Sequence, residues 1–124
     1  MTHRSAVALA GLLAGAGALH LAAPRPFDSL VPSVLPGSPR TWTYASAGVE
    51  LALAAGLLAP RTRRAAALGA AAFFVGVLPA NVKMAVDWRH RPAPQRGIAY
   101  ARVPLQIPLV LWARRVARQG ADTA

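Results

Sequence analysis

Four long apolar blocks separated by proline- and arginine-rich breaks constrain this chain more than any other feature. They run from about 5–23, 41–59, 65–82 and 98–113. At a rise of roughly 1.5 Å per residue, each of the first three is about long enough to cross the hydrocarbon core of a bilayer. Apolar residues in long blocks argue for membrane spans and against a buried soluble core. The composition agrees. Of 124 residues, 55% are hydrophobic and only 15% charged, against about a quarter charged in soluble domains. The predicted fold is all-α, a four-helix transmembrane bundle forming one domain over residues 1–124. Cysteine is absent, which excludes disulfides and thiolate chemistry. His3, His20 and His90 are scattered, so no metal site is expected.

The net charge is +10. Its cations sit between or beside the apolar blocks and not along one helix face. That pattern fits anchors at a membrane interface, and no nucleic-acid partner is expected.

The first block contains the pair Gly11 and Gly15, with Gly17 as a third small position, and it ends near His20. Small residues at such spacing let helices approach closely. A cleaved signal peptide is the rival reading, from Arg4 and the Ala16-Gly17-Ala18 stretch. Pro24–Arg40 contains five prolines, which argues against a regular helix. Its apolar residues Phe27, Leu30, Val31, Val34 and Leu35 suggest that it folds back onto the bundle end.

The second block is unusual. Trp42 and Tyr44 suit an interface, and Thr43, Ser46 or Ala47, and Glu50 follow helical spacing on one face. Glu50 lies roughly 12 Å along the helix from Trp42. An ionisable group at that depth faces protein and marks either a functional site or a structural hydrogen bond to a neighbouring helix. In the third block, Pro79 predicts a kink, followed by Asn81 and by Lys83, which is expected to reach to the interface. Met84–Gly97 reads as a solvent-exposed loop. The fourth block contains Arg102, expected to snorkel outward, and the deeper Gln106. A short frayed tail, Gln119–Ala124, is expected at the end.

Alternating span directions place the end of block one, the first half of two, the end of three and the start of four on one side. His20, Glu50, Asn81 and Gln106 therefore converge in one half of the bundle. An apolar pocket with a few convergent polar groups is the default binding site. A polar network that only fixes helix register is the alternative. Seven basic residues fall on each side, so the charge count does not set the orientation. The tight clusters beside span ends favour both termini on the cytoplasmic side of a multi-pass protein of the cell membrane.

Several stretches together resemble the DoxX-like family of small four-helix membrane proteins. They are Gly17-Ala18-Leu19-His20 with Pro24 and Phe27; Val31-Pro32 with Leu35-Pro36; Gly48-Val49-Glu50 with Gly56-Leu57-Leu58; Leu78–Ala85; and Arg102-Val103-Pro104-Leu105-Gln106 with Trp112-Ala113. They cover almost the whole chain in order. The resemblance implies a four-helix membrane bundle and a quinone-linked redox or oxidative-stress membrane subunit, with quinone as the candidate cofactor. A non-catalytic scaffold that docks a partner subunit, or a homo-oligomer, is the competing reading, so enzymatic activity is left open. A small transporter ranks third.

Overall fold

The computed structural model describes the backbone of residues 2–123 and the side chains of residues 4–119. Among the described residues the chain is all-α. Its six helices are α1 (Thr2–Ala22), α2 (Pro24–Asp28), α3 (Pro39–Leu58), α4 (Arg63–Gly76), α5 (Leu78–Asp87) and α6 (Ala93–Thr123). Helices α4 and α5 form one rod with a break at Val77, so the long elements make four rods. The main contacts run α1–α3, α3–α4, α4–α6 and α1–α6, which closes the set around a common interior.

Local chemistry explains the boundaries. Gly37 takes a positive φ of 82° to turn the chain into α3. Ser38 then caps that helix, its hydroxyl accepting from the Thr41 N–H, with Pro39 in the first turn, where its missing N–H costs nothing. At the other end of α3, the buried Arg63 donates through Nε to the Leu57 carbonyl at 2.8 Å and through Nη2 to Leu58 at 3.3 Å. A cation on the last carbonyls is the favourable sign for a helix C-terminus. Pro79 provides the expected break in the third rod: α4 ends at Gly76, Val77 N–H bonds to Phe73, and α5 restarts with Pro79 in its first turn.

The rods differ from the sequence expectation at three places. Pro24–Arg40 contains a one-turn helix, α2, because Pro24 and Pro26 fall in its first turn, where proline is tolerated. The segment does fold back: Leu30 is buried with Met84 and Ala99. Met84–Gly97 is exposed from Arg89 to Gly97, as expected, but it is not a continuous loop. Met84–Asp87 completes α5 with Met84 buried, and α6 begins at Ala93, so only 88–92 connect them. Finally, α6 runs on without a break past Ala113 to Thr123, passing Pro104 and Pro108, which lie on its exposed side. Ala124 lies outside the described residues.

The core is built from alanine. Nine of the fourteen residues in the main buried cluster are alanine, and Leu9, Leu13, Leu57, Phe74 and Val116 complete it. Small side chains let the rods approach to near contact. A Cβ added at Gly56 would stand 2.8 Å from the Ala66 Cβ, and one at Gly69 would stand 2.9 Å from Leu53. The Gly11/Gly15 pair does not serve this purpose, because nothing lies within 4 Å of either position. In α1 the close approach is at Gly17, against Leu51 and the Ala47 carbonyl.

Two stretches, Arg4–Ala22 and Arg63–Asp87, are long and apolar enough to cross a bilayer, with mean hydropathies of 1.7 and 1.8. By that measure they are the two found among the described residues. Helices α3 and α6 carry Thr43, Glu50, Arg102 and Gln106, which lower their hydropathy.

Candidate ligand cavity

Every rod contributes to a cavity of about 940 Å³ at the end of the molecule where α1 finishes and α3 begins. Its walls are mostly apolar, with Leu12, Leu13, Phe27, Leu30, Phe73, Phe74, Val77 and Leu109 among them. His20, Thr43, Ser46, Glu50, Asn81, Arg102 and Gln106 supply the polar lining. The structure therefore brings the four sequence-selected residues, His20, Glu50, Asn81 and Gln106, to one cavity, although they do not form one hydrogen-bonded network.

They divide into two pairs. Asn81 and Gln106 are buried and spend their amide groups across helices. Asn81 Nδ2 donates to the Arg102 carbonyl at 3.4 Å. Gln106 Nε2 donates to the Phe74 carbonyl, at the end of α4 beside the proline break. Backbone polar groups at a helix break need a substitute partner, and Gln106 supplies one from the next rod.

His20 and Glu50 form the other pair. The His20 ring stacks on Phe27, with centroids 3.8 Å apart and an interplanar angle of 21°. Its Nδ1 lies 2.6 Å from the Ala16 carbonyl, an acceptor only, so Nδ1 carries the proton and points along its own helix. Glu50 Oε1 lies 3.3 Å from the same nitrogen, yet this oxygen has no hydrogen-bond partner. The ion-pair distance and the missing bond are compatible, because the single Nδ1 proton is directed at the carbonyl. Glu50 is 3% exposed, so this acceptor is buried without a partner in a residue that lines the cavity. Such a group is costly.

Two contributors were not anticipated. Arg102 does not turn outward. It is half-buried, lines the cavity and places Nη1 3.0 Å from the Met84 sulfur. Its position four residues before Gln106 on one helix was the available signal, since i and i+4 share a face. The second is Asp28, the single acid of the proline-rich segment. Thr43 Oγ1 donates to its Oδ1 at 2.6 Å and Arg40 Nε to its Oδ2 at 2.8 Å. The Thr43 hydroxyl and then the Arg40 guanidinium hold the Asp28 carboxyl below its ordinary 3.8. Lys83, expected at the interface, ties the same segment to α5 by donating to the Ser29 carbonyl at 3.0 Å, and it pairs with Asp87 at 2.6 Å. These contacts pin α2 and the chain after it against the cavity, where Phe27, Leu30 and Val31 form part of the wall.

No curated protein and no solved structure shows significant similarity to the chain. One family, described as a domain of unknown function (DUF8561), matches residues 9–117, almost the whole of the cavity-bearing fold. The chain belongs to the DUF8561 family.

Proposed function

We propose that the protein crosses a membrane four times and binds a lipophilic, quinone-type molecule in the cavity, acting as a redox-linked membrane subunit. The membrane part of this reading is supported by what faces outward. Only 28% of each of the two most apolar stretches is buried in the molecule. A core helix of a soluble protein would be mostly buried. Val49, Leu51, Leu58, Leu105, Ile107 and Leu111 are further exposed apolar residues on α3 and α6, whose mid-helix polar residues Thr43, Ser46, Glu50, Arg102 and Gln106 line the cavity. Extensive exposed apolar surface calls for a lipid or protein covering. Arginines flank the apolar region at both ends, and the resemblance to DoxX-like proteins points the same way. Both termini then lie on one side, read as the cytoplasmic one.

One observation carries the ligand reading: Glu50, which lines a large apolar cavity, holds a buried carboxylate oxygen, Oε1, that has no partner. The residues present suit a quinone. Phe27, Phe73 and Phe74 offer apolar walls for a flat ring, and Arg102 offers a donor for a carbonyl oxygen. Glu50 is placed to accept a proton or a hydrogen bond, with His20 beside it. A bound quinone supplies two-electron, two-proton redox chemistry, and the protein residues orient it and exclude water. The scaffold reading is favoured by a different observation. Asn81 and Gln106 are committed to backbone carbonyls, as expected of residues that set helix register.

Purification in mild detergent, solvent extraction and an oxidised-minus-reduced ultraviolet difference spectrum test the proposal. Near-stoichiometric quinone that is lost in Glu50→Gln is expected. Quinone no higher than in a detergent-and-lipid control would leave the scaffold reading, and a co-purifying partner would then be sought.

A further inference from the structure

The two ends of the molecule handle their arginines differently. At the cavity end most cations have partners within the molecule: Arg40 with Asp28, Lys83 with Asp87 and the Ser29 carbonyl, Arg89 with the Val86 carbonyl, Arg102 with the Met84 sulfur, and Arg91 over the Trp88 ring at 4.1 Å, while Arg25 and Arg96 are exposed without a carboxylate partner among the described residues. At the other end, Arg4, Arg61, Arg64, Arg114, Arg115 and Arg118 are all exposed. Among the described residues none of these six pairs with a carboxylate. The one acid in this part of the sequence, Asp122, has a side chain outside the described residues.

These arginines share one end because α4 and α6 run antiparallel, with Phe74 beside Gln106 and Asn81 beside Arg102. Arg64 therefore comes level with the last described turns of α6. Trp112 Nε1 donates to Ser5 Oγ at 2.8 Å, which brings the start of α1 to the same level. The charge is not explained by helix dipoles alone. Cations are favourable at the α6 C-terminus, but Arg61 and Arg64 flank the α4 N-terminus, where a positive charge is disfavoured. No acid occupies the first turn of α4 and no side chain caps it. Leu58, Leu68 and Leu111, each within four residues of one of these arginines in sequence, are exposed.

We propose that this end is a binding surface for the phosphate headgroups of anionic phospholipid, with the acyl chains lying on the adjoining leucines. Guanidinium groups bind phosphate oxygens through paired hydrogen bonds. Cations placed beside exposed hydrocarbon match an amphiphile better than a nucleic acid or an acidic peptide, which would leave the leucines uncovered. The inference rests on the membrane reading. It also gives that reading an orientation: the arginine end, with both termini, faces the leaflet richer in anionic lipid.

Three tryptophans make the test direct. The Trp42→Phe/Trp88→Phe variant leaves Trp112 as reporter at the arginine end. Trp88→Phe/Trp112→Phe leaves Trp42 at the cavity end. Each full-length variant is reconstituted into phosphatidylcholine vesicles containing phosphatidylglycerol, with one lipid or the other brominated in its acyl chains, and fluorescence quenching is recorded. Trp112 is expected to show a preference for phosphatidylglycerol over phosphatidylcholine of about fivefold, the size of one lysine or arginine interaction with an anionic surface. That preference should fall towards one in about 0.5 M salt. It should also fall when Arg61, Arg64, Arg114 and Arg115 are all changed to Gln, and persist when they are changed to Lys. Trp42 should show a ratio near one. A ratio near one at Trp112, or equal ratios at the two reporters, overturns the proposal. So does displacement of phosphatidylglycerol by inorganic phosphate or by a short RNA at matched ionic strength. Absence of quenching by brominated phosphatidylcholine at both tryptophans overturns the membrane reading, and this inference with it. If the Gln variant fails to fold, the salt series and the two-reporter comparison decide the matter on the parent protein.

Discussion

One half of this molecule is closed and the other is open, although the same four rods build both. Towards the α3–α4 turn, alanine faces alanine, and Ala67 and Ala70 are fully buried. Towards the α1–α3 connection the rods enclose a cavity of about 940 Å³ lined by seven polar side chains. Small residues let backbones come together, whereas the phenylalanines, His20 and the proline break hold them apart. The open half is where a polar atom is left unpaired, and the closed half is where an added atom has nowhere to go.

The sharpest way to break this comparison is to add the same volume to both halves. Ala70→Leu should cost about 2 kcal/mol or more by overpacking, read as a lower unfolding midpoint in detergent. Ala45→Leu, on the exposed cavity rim, should stay within about 0.5 kcal/mol. Equal losses would mean that the two halves are packed alike. Next in size, Gly56→Ala should destabilise by roughly 1 kcal/mol or more, because its Cβ would meet Ala66. Gly15→Ala meets nothing and should gain up to about 1 kcal/mol from helix propensity.

Polar deletions sharpen the contrast within the open half. Gln106→Leu strips the Phe74 carbonyl of its partner and should cost about 1 kcal/mol. Glu50→Leu removes an acceptor that has no partner, so stability should hold within about 0.5 kcal/mol while bound quinone is lost. A large stability loss in Glu50→Leu would transfer Glu50 to the structural group with Gln106. The smallest effect concerns the pinned segment. The Asp28 carboxyl is held below its ordinary 3.8, so its contribution is present above that pH and is lost as pH falls through the lower folded value. Below about pH 4 the segment should loosen. This should be visible in the emission of Trp42, whose indole N–H donates to the Pro36 carbonyl at 2.7 Å. Asp28→Asn should reproduce the loosening at neutral pH.

Much of the open half was legible in the chain. Alternation of apolar blocks with breaks carries His20, Glu50, Asn81 and Gln106 towards one end once the rods reverse direction. Which of them is committed and which is free was not legible. Gln106 finds Phe74 because the Pro79 break places an α4 carbonyl opposite it, and His20 turns its proton to its own helix and away from Glu50. Arg102 was misread because a long side chain near a helix start can turn either way, and the Met84 sulfur and the cavity decide its direction. The glycine pattern misled for a related reason: spacing identifies a smooth face but not the face that meets a neighbour.

Composition and periodicity alone determine that this chain is helical, that its helices are rich in apolar residues, and that the third rod breaks near Pro79. These follow from local rules, namely backbone hydrogen bonding, the missing N–H of proline and the hydropathy of each stretch. The tertiary structure decided that Gly17 and Gly56 are the close contacts, that Arg63 caps α3 and that Glu50 keeps one oxygen unpaired. Each of these depends on the rotation of one rod about its axis relative to the next, which the packing of residues far apart in the sequence sets.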